Sequence, residues 1–539
     1  MTPVRGNAAA TSVQNGLDTT APSTGSGDPG AVAGTAVRAP RVGQLWLLAA
    51  IAGGVGAWIT FDAPAGVNWT IWTVVAAAGL ALSTRRAQGR VPRDLALLLA
   101  LACVLSGGAA INADPVFQFL IFAGVATLLA LGTLVAAGER LADAGLLFLI
   151  LAPLFASVRT GIEAIRRMFE GAELVGRNRG APVLRGALLA LPVVVVLALL
   201  LAQADPLLAA ARDDLARAIA SWTFLPRLFF FVIIGGMTLG ACGLALHPTS
   251  DGPSIGFSNT GLTLRIGDTE RLIVLSSVSA LFALFVLLQF AYFFGNLAGA
   301  PGTGITYAEY ARRGFGELTL AASLATALIV GLDQVAQRGS RERAVRIVSL
   351  VLIGLVQLLL DSAYHRVSLY EQAYGYTTAR VYAQVYMVLV SLSLALLTYE
   401  VCTTLHMKRL VRRVALLGTC GLITLTYWNH EAWIMQRNVA RYVATDTATR
   451  PDLALAAQTE SLNAIPALVE SLPRLDASTR SDVRTCLLRR ATERRVTHTR
   501  VAHWYEWNRA RRSAARALLG LQQATGDATG VATGKCSAK

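Results

Sequence analysis

The segment TYAEYARRGFGEL, residues 306–318, places charged and aromatic side chains between two long apolar runs. Guanidinium groups bind phosphate or carboxylate through paired hydrogen bonds, and a carboxylate beside them can transfer protons. Glu317, at the mouth of the following apolar run, is therefore a catalytic candidate. The ligand-binding candidates of this segment are Tyr307, Tyr310, Arg312 and Arg313.

The same segment also has a structural interpretation. Thr306 and Glu309 have the spacing of a capping box, in which a hydroxyl and a carboxylate satisfy free amides at the start of a helix. Glu309 and Arg313 are four residues apart, the spacing of an ion pair on one helix face. This interpretation predicts a capped helix that leads into the next apolar run, and it leaves Glu317 without a role.

A second polar segment, LDSAYHRVSLYEQAYGYTTAR, covers residues 360–380. Asp361 lies near the end of an apolar run, where an ionisable group is costly, so it is a catalytic candidate. Tyr374 and Arg380 are ligand-binding candidates, and Gly375 between them has the position of a helix C-cap. Gln289, at the end of another apolar run, is a further ligand-binding candidate.

Acidic residues elsewhere have differing interpretations. Asp62, in the short loop FDAPAGVNW, is the third catalytic candidate. Asp114 and Asp205 each precede a proline, which is typical of a helix N-cap followed by proline at the first helical position. His430 and Glu431 begin an HExxH pattern that Ile434 interrupts. No phosphate-binding loop or nucleophile elbow is present either, and we predict neither a metal site nor a cofactor.

The composition requires a lipid environment. Of 539 residues, 54% are hydrophobic and only 15% charged, against roughly 25% charged in soluble domains. The mean hydropathy is +0.51, and a spanning helix needs about 20 apolar residues. We therefore predict an all-α polytopic membrane protein of about 11 spans with a small helical C-terminal domain. The predicted spans are 43–61, 66–83, 94–111, 116–138, 186–203, 228–246, 272–295, 316–333, 345–363, 379–401 and 413–430.

Arginine-rich loops set the expected orientation. The net charge is +15, and basic residues cluster in the loops 84–93, 334–346 and 402–413. Positive loops remain in the cytoplasm, so the charge does not require nucleic acid as a partner. The basic segment 158–185 is expected on the same side, which makes the apolar run 143–157 re-entrant or interfacial. The N-terminus is then cytoplasmic and the C-terminal domain extracytoplasmic, in the plasma membrane.

Four regions follow from these patterns. Residues 1–42 and 524–539 are predicted to be disordered tails, residues 43–430 the membrane domain, and residues 431–523 a helical extramembrane domain. In that domain one helix face is expected to contain Trp504, Trp507, Ala514, Leu518 and Leu521. A disulfide between Cys486 and Cys536 is one alternative for these cysteines, and it requires an extracytoplasmic location.

Several blocks in order resemble a known family. These are LRGALLALPVVVVLALLLAQADPLL, LFALFVLLQFAYFFG, TYAEYARRGFGEL, YEQAYGYTTAR, RNVARY, SLNAIPAL and WYEWNRARR. They resemble the uncharacterised polytopic bacterial membrane proteins called domain of unknown function 4173, with the related 4153. The resemblance covers about residues 185–512, departs from the pattern at Gly316 and implies a bacterial inner membrane location. It implies no activity and no catalytic residues.

Three functions remain open. The first is a scaffold or sensor whose Arg- and Trp-rich C-terminal domain binds a protein partner or anionic lipid, besides the surrounding membrane lipid. The second is an envelope enzyme acting on a lipid-linked substrate with a glycosyltransferase-like architecture. Asp62 would be its base, and Arg312, Arg313 or Arg380 would hold a phosphate. The third is a secondary transporter that depends on the polar residues Gln289, Gln357 and Asp361.

Overall fold

A computed structural model describes most of the chain after residue 41. The described residues are 42–139, 146–175, 197, 224–247, 266–294, 315–334, 336–337, 340–403, 406–444, 453, 456–457, 461–492 and 503–524. Long runs of Ala, Leu and Val form helices here because a helix satisfies every backbone amide within its own segment.

Fifteen α-helices occur in the described residues. They are α1 Val42–Thr60, α2 Val67–Gln88, α3 Arg93–Gly107, α4 Pro115–Ala136, α5 Leu146–Val175, α6 Phe224–Leu246, α7 Asp268–Phe294, α8 Phe315–Gln334, α9 Glu342–Tyr374, α10 Thr378–Cys402, α11 Met407–Tyr427, α12 His430–Ala444, α13 Ile465–Ser471, α14 Ala477–Thr492 and α15 Arg509–Gln523. Short 3₁₀ turns cover Gly108–Ala110, Leu472–Arg474 and Trp504–Glu506. Two short parallel strands, β1 Ile266–Gly267 and β2 Ala336–Gln337, pair before α7 and α9.

Eight described helices are long and apolar enough to cross a membrane, namely α2, α3, α4, α6, α7, α9, α10 and α11. Two shorter apolar stretches, Leu45–Thr60 of α1 and Leu320–Asp333 of α8, coincide with two further predicted spans. The expected multi-pass, all-helical architecture is therefore confirmed, whereas the count of eleven spans is not. The predicted span 186–203 lies outside the described residues, apart from residue 197.

Residues 146–157 of the apolar run 143–157 belong to α5, which continues as one helix through Pro153 to Val175, and the rest of the run lies outside the described residues. Its buried residues Ala152 and Ala156 pack into the core formed by α2, α3 and α4. Its polar half contacts α6. Within that half of α5, Arg167 Nε donates to Glu163 Oε1 over 2.7 Å. Helix α5, as described, is not one of the eight helices that are long and apolar enough to cross a membrane. Its predicted placement along the membrane interface stays a prediction.

The membrane helices form two groups with separate hydrophobic cores. Helices α1–α6 share one set of buried contacts, and α7–α10 share another. Small residues allow close approach in the first group, since a Cβ on Gly53 of α1 would lie 2.9 Å from the Cα of Gly235 in α6. Helix α11 contacts both groups, because it packs against α10 and also against α3 and α4. We call these groups the first and second sub-bundles.

The turns of these helices lie on two opposite faces. The turns 61–66, 108–114 and 375–377 all contact the chain after α11, so we call their side the C-terminal face. On the opposite side lie the turns that follow α2, α8 and α10, which are rich in arginine. We call this side the arginine face. There Glu400 is fully buried and accepts hydrogen bonds from Arg409 and Arg413.

Helices α12–α15 pack around a hydrophobic core of their own. Ala514, Leu518 and Leu521 of α15 are buried there, as the helical pattern predicts. Trp504 is 73% exposed instead, because Asn508 caps α15 and the two tryptophans precede the helix. The described residues from Val42 onwards belong to one compact unit, so a separate C-terminal domain stays a prediction.

Candidate functional site

Six of the predicted site residues, or their side chains, lie outside the described part of the chain. Tyr307, Tyr310, Arg312 and Arg313 lie outside the described residues. Helices α7 and α8 include Gln289 and Glu317, but the side chains of these two residues are not among those that the structure describes. The capping box at Thr306 also lies outside it, and its predictions stay open.

The other candidates belong to three separate places. Asp62 is exposed in the turn after α1, with a left-handed φ of 54°. Asp361 is exposed on α9, where Oδ1 accepts a hydrogen bond from Gln357 Nε2 over 2.9 Å. The Gln357 Oε1 atom accepts from Ser391 Oγ on α10 over 3.1 Å. Asp62 and Asp361 therefore lie in different sub-bundles, and the described contacts do not join them.

Tyr374 and Arg380 lie together at the turn between α9 and α10. The Arg380 guanidinium is stacked on the Tyr370 ring at 4.1 Å, and it donates to the Gly375 carbonyl. The Tyr370 and Tyr374 rings are 4.8 Å apart. Gly375 has a φ of 83° and ends α9, so the predicted C-cap is confirmed. Because Arg380 is committed to this turn, its local role is to stabilise the helix end.

A denser polar cluster connects the first sub-bundle to the chain after α11. We call it the junction, and it consists of Asn112, Asp114, Glu431, Ser461, Asn463 and Asn508. Asn112, Glu431, Asn463 and Asn508 are buried. Buried polar groups are costly unless they are hydrogen-bonded, so the partners of these side chains decide what the junction does.

Asn463 uses its whole side chain in this cluster. Its Nδ2 donates to Asn112 Oδ1 over 2.9 Å and to Glu431 Oε2. Its Oδ1 accepts from the Ala113 backbone N over 3.3 Å. One amide therefore joins the turn before α4 to the start of α12, and an amide side chain with these bonds has no donor left for a ligand.

Asn508 fixes the same turn from α15. Its Nδ2 donates to the carbonyl oxygens of Ala109 and Asn112, over 2.8 and 2.9 Å. Its Oδ1 accepts from the Arg511 backbone N over 3.0 Å, which caps α15. Next to it, the Trp507 carbonyl accepts from the Val67 backbone N over 3.0 Å. Asn508 therefore both caps α15 and attaches this helix to the membrane helices.

His430 extends the junction to the second sub-bundle. Its Nε2 lies 2.8 Å from the Tyr382 hydroxyl of α10, and its Nδ1 lies 3.2 Å from the Trp428 carbonyl oxygen. A carbonyl oxygen only accepts, so Nδ1 carries a proton and Nε2 accepts from the tyrosine in the neutral imidazole. The Phe117 ring of α4 packs 5.4 Å from His430. The three rings thus connect α4, α10 and α12.

Glu431 is the charged centre of the junction. It is 3% exposed, and its Oε2 accepts from Ser461 Oγ and Asn463 Nδ2. Burial raises the pKa of the Glu431 carboxyl, hydrogen bonds from Ser461 and Asn463 lower it, the Asp114 carboxylate raises it and the neighbouring His430 lowers it; the net pKa is above the ordinary value of 4.5. Asp114 caps α4 by accepting from the Phe117 backbone N over 2.8 Å, as the Asp-Pro pattern predicts.

A second attachment connects α12 to the turn between α9 and α10. Asn438 Oδ1 accepts from the Tyr376 backbone N, and its Nδ2 donates to the Tyr376 carbonyl, both over 2.8 Å. Arg441 Nη1 donates to the Glu371 carbonyl over 2.9 Å. The Glu371 side chain is 2% exposed and accepts from Gln384 Nε2 over 2.6 Å. Helix α12 is therefore hydrogen-bonded directly to the second sub-bundle, and through Asn463 to the first.

The sequence analysis did not select these residues, although short signals mark some of them. Asn112 precedes the recognised Asp-Pro cap, Glu431 lies in the rejected HExxH start, and Asn463 lies in the SLNAIPAL block. Nothing in these local patterns shows that the three meet. Across the described part of the chain, no group of three or more His, Cys, Asp or Glu side chains is arranged to hold a metal ion.

One family model matches this chain, over residues 99–471, and its description is "Domain of unknown function (DUF4153)". The chain belongs to this family. The related family named by the sequence resemblance is thereby confirmed, and Asn112, Glu431 and Asn463 fall within the matched residues while Asn508 lies beyond them. No curated protein matches the chain, and no solved structure matches it either. DUF4153 membership assigns no activity, and the function must be inferred from the contacts of the described residues.

Proposed function

We propose that the protein is a plasma-membrane scaffold or sensor, and that α12–α15 form its extracytoplasmic unit. The observation that carries this proposal is the double attachment of α12. Asn463 and Asn508 tie the unit to the first sub-bundle, and Asn438 ties it to the second. A unit attached to both sub-bundles responds to any change in their relative position, and it fixes that position when it is itself held by a partner.

The chemistry of the attachments favours a scaffold over an enzyme. The amides of Asn463 and Asn508 each donate two hydrogen bonds to protein groups, and the amide of Asn438 donates to the Tyr376 carbonyl. A catalytic site needs groups that are free to contact substrate, whereas a structural connection needs saturated ones. The saturated amides therefore support a role in which α12–α15 transmit or resist movement.

Two features support the extracytoplasmic location. The arginine face carries Arg85 and Arg86 in the last turn of α2, Arg90 in the turn that follows and Arg93 at the start of α3, and short positive loops remain in the cytoplasm. Cys486 of α14 is disulfide-bonded, and its partner lies outside the described residues. Disulfides persist in oxidising compartments and are rare in the cytosol. Both features support a location of α12–α15 on the side opposite to the cytoplasm.

An aromatic surface on the C-terminal face supports anionic lipid as a partner. Trp58 at the end of α1 is 69% exposed, and its ring lies 6.3 Å from that of Tyr505. Trp504 beside it is also exposed, and the Arg227 guanidinium lies 5.6 Å from the centre of the Phe61 ring. Aromatic rings locate at the membrane interface, and an arginine there attracts anionic headgroups.

The first test is the side of the C-terminus. Paired reporter fusions after Gly534 would be compared, one reporter active only outside the cytoplasm and one active only inside it. We expect activity of the outside reporter alone. Activity of the inside reporter alone would overturn the extracytoplasmic placement.

The second test separates scaffold from enzyme in a strain lacking the gene. We expect a chain without residues 461–524 to fail to complement, as does a chain carrying both Asn438→Ala and Asn463→Ala. The exposed acids Asp62 and Asp361 provide matched single variants, Asp62→Asn and Asp361→Asn, which we expect to complement fully. Loss of complementation by either acid variant at normal protein abundance would favour the enzyme or transporter instead.

A further inference from the structure

Two carboxyl groups interact across the junction. Glu431 begins α12, and Asp114 ends the turn before α4. In the described residues no Lys or Arg forms a salt bridge with either of them. The hydrogen-bond partners of Glu431 are the neutral side chains of Ser461 and Asn463.

The imidazole beside them offsets only part of this charge. The charged or titratable groups that face Glu431 among the described residues are Asp114 from the turn before α4 and His430 on α12. Interaction with His430 lowers the pKa of the Glu431 carboxyl, but burial is the largest influence and the net pKa is raised. Two carboxylates with one imidazole beside them, and no arginine or lysine partner among the described residues, ionise together only at an electrostatic cost.

We propose that Glu431 and Asp114 form a proton-binding site, and that the bound proton holds the unit α12–α15 against the 108–114 turn. With the proton present, the pair carries one negative charge, and the hydrogen bonds through Asn463 join the two sides. When the proton leaves to water, two negative charges face each other across the same bridge. Their repulsion weakens the contact between Asn463 and Asn112.

This site gives the proposed sensor a stimulus, and the inference rests on that proposed function in this one respect. The stimulus is the proton concentration at the C-terminal face. Acid conditions hold the first attachment closed, and alkaline conditions loosen it. In the second attachment the hydrogen bonds between Asn438 and Tyr376 join neutral groups, and Arg441 binds the backbone carbonyl of Glu371 rather than its carboxylate, so these bonds are not expected to respond.

Hydrogen exchange on the full-length protein in lipid nanodiscs tests the proposal. Amide protection would be measured between pH 5 and 8, corrected for intrinsic exchange, in peptides covering residues 108–114 and 461–471. We expect protection to fall with rising pH in the wild type, by about tenfold for each unit by which the docked and opened pKa values differ. The peptide covering residues 375–381 serves as the internal control and should not change.

Variants separate the proton site from general loosening. Glu431→Gln removes the charge with little change in shape, and we expect protection that is independent of pH. Asp114→Asn keeps a good helix cap and should reduce the pH dependence. Glu470→Gln alters an exposed carboxyl on α13 and should behave like the wild type.

Two results would overturn the proton site. One is pH-independent protection of the wild-type peptides, and the other is an unchanged pH dependence in Glu431→Gln. Either result leaves the scaffold intact, provided that residues 461–471 are protected. Absence of protection in those residues at every pH would instead contradict the double attachment, and with it the proposed function.

Discussion

Two buried glutamates, one on each face, are stabilised in opposite ways. Glu400 on the arginine face is fully buried, and its two oxygens accept from Arg409 Nη2 and Arg413 Nη1 over 2.6 and 2.7 Å. Glu431 on the C-terminal face is almost as buried, but its donors are a serine and an asparagine. The first carboxylate is neutralised by its neighbours, whereas the second is not.

The comparison shows what a buried carboxylate can do in each setting. Arginine is protonated at every physiological pH, so the connection that Glu400 makes between α10 and α11 is permanent. Neutral donors satisfy a carboxylate without cancelling its charge, so the connection at Glu431 depends on a proton. The arginine face is therefore expected to hold its geometry while the C-terminal face responds to its surroundings.

The largest effect is expected at Glu400. Glu400→Gln leaves two guanidinium groups without their anion and removes the charge-assisted hydrogen bonds that Arg409 and Arg413 make to a fully buried side chain, so we expect the largest loss of stability in this series. Equilibrium unfolding in mixed micelles would measure the loss, which should be equal at pH 5.5 and pH 8. Asp62→Asn is the control, because Asp62 is exposed and asparagine tolerates its left-handed backbone. A loss that disappears at one of the two pH values would contradict the permanent connection.

The next effect is expected at Asn463. Asn463→Ala removes one of the two donors to Asn112 Oδ1 and one of the two donors to Glu431 Oε2, and it leaves the Ala113 backbone N without this acceptor. Each lost hydrogen bond costs about 1 kcal/mol. Measured by the same unfolding method, the loss should be accompanied by faster protease cleavage after α12. Asn508→Ala should cost a similar amount through the lost cap. If Asn463→Ala unfolds like the wild type, the junction does not hold the two parts together.

A smaller effect with a defined sign is expected from Glu431→Gln. The pKa of Glu431 is raised in the folded protein, so its contribution to stability is present below about pH 4.5 and is lost as the pH rises through the folded pKa. Glu431→Gln should therefore stabilise the protein at pH 8 and leave its stability unchanged at pH 4. The free energy of unfolding against pH checks this.

Asp476 provides the opposite sign for the same measurement. Hydrogen bonds from the hydroxyls of Ser478 and Tyr442 hold the pKa of Asp476 well below its usual range. Its contribution is present above about pH 3.8 and is lost as the pH falls through the folded value. Asp476→Asn should therefore lower stability equally across pH 5–8. A wild-type stability that rises with pH over this range would contradict the assignment at Glu431.

The smallest effect is expected at the aromatic surface of the C-terminal face. Arg227→Gln should weaken binding of anionic lipid by about 1 kcal/mol or less, because one interfacial arginine contributes about that much. Native mass spectrometry of the purified protein with phosphatidylglycerol and phosphatidylcholine would measure the preference. Arg346→Gln, an arginine on the opposite face, is the matched control. An equal loss from both variants would assign the effect to overall charge.

Local features of this fold follow from short stretches of sequence. The apolar runs become α2–α4, α6, α7 and α9–α11, because each run of about 20 apolar residues must bury its backbone in a helix. The Asp114 cap and the Gly375 end are also local, since they depend on neighbouring residues alone. Apolar spacing predicts a helix face that includes Trp504 and Trp507, but α15 begins only after the cap at Asn508, which the spacing does not reveal.

The polar candidates show the limit of local patterns. Asp62, Asp361 and Arg380 stand out because their residue types are unusual near apolar runs, yet the structure leaves the two acids exposed and in separate sub-bundles. Glu431 stood out only as a failed metal motif. A buried carboxyl group can change its charge in the folded protein when no arginine or lysine pairs with it. Its neighbours come from remote parts of the chain.

The sequence by itself determined that this chain is a multi-pass helical membrane protein with arginine on one face, because hydrophobicity and charge act over a single helix or loop. Only the tertiary structure decided that Asn463 meets Asn112, which is 351 positions away. Such a contact depends on how whole helices pack, and one side chain does not encode it. For the same reason the buried carboxyl pair at Glu431 and Asp114, and the proton we assign to it, emerge only in the folded protein.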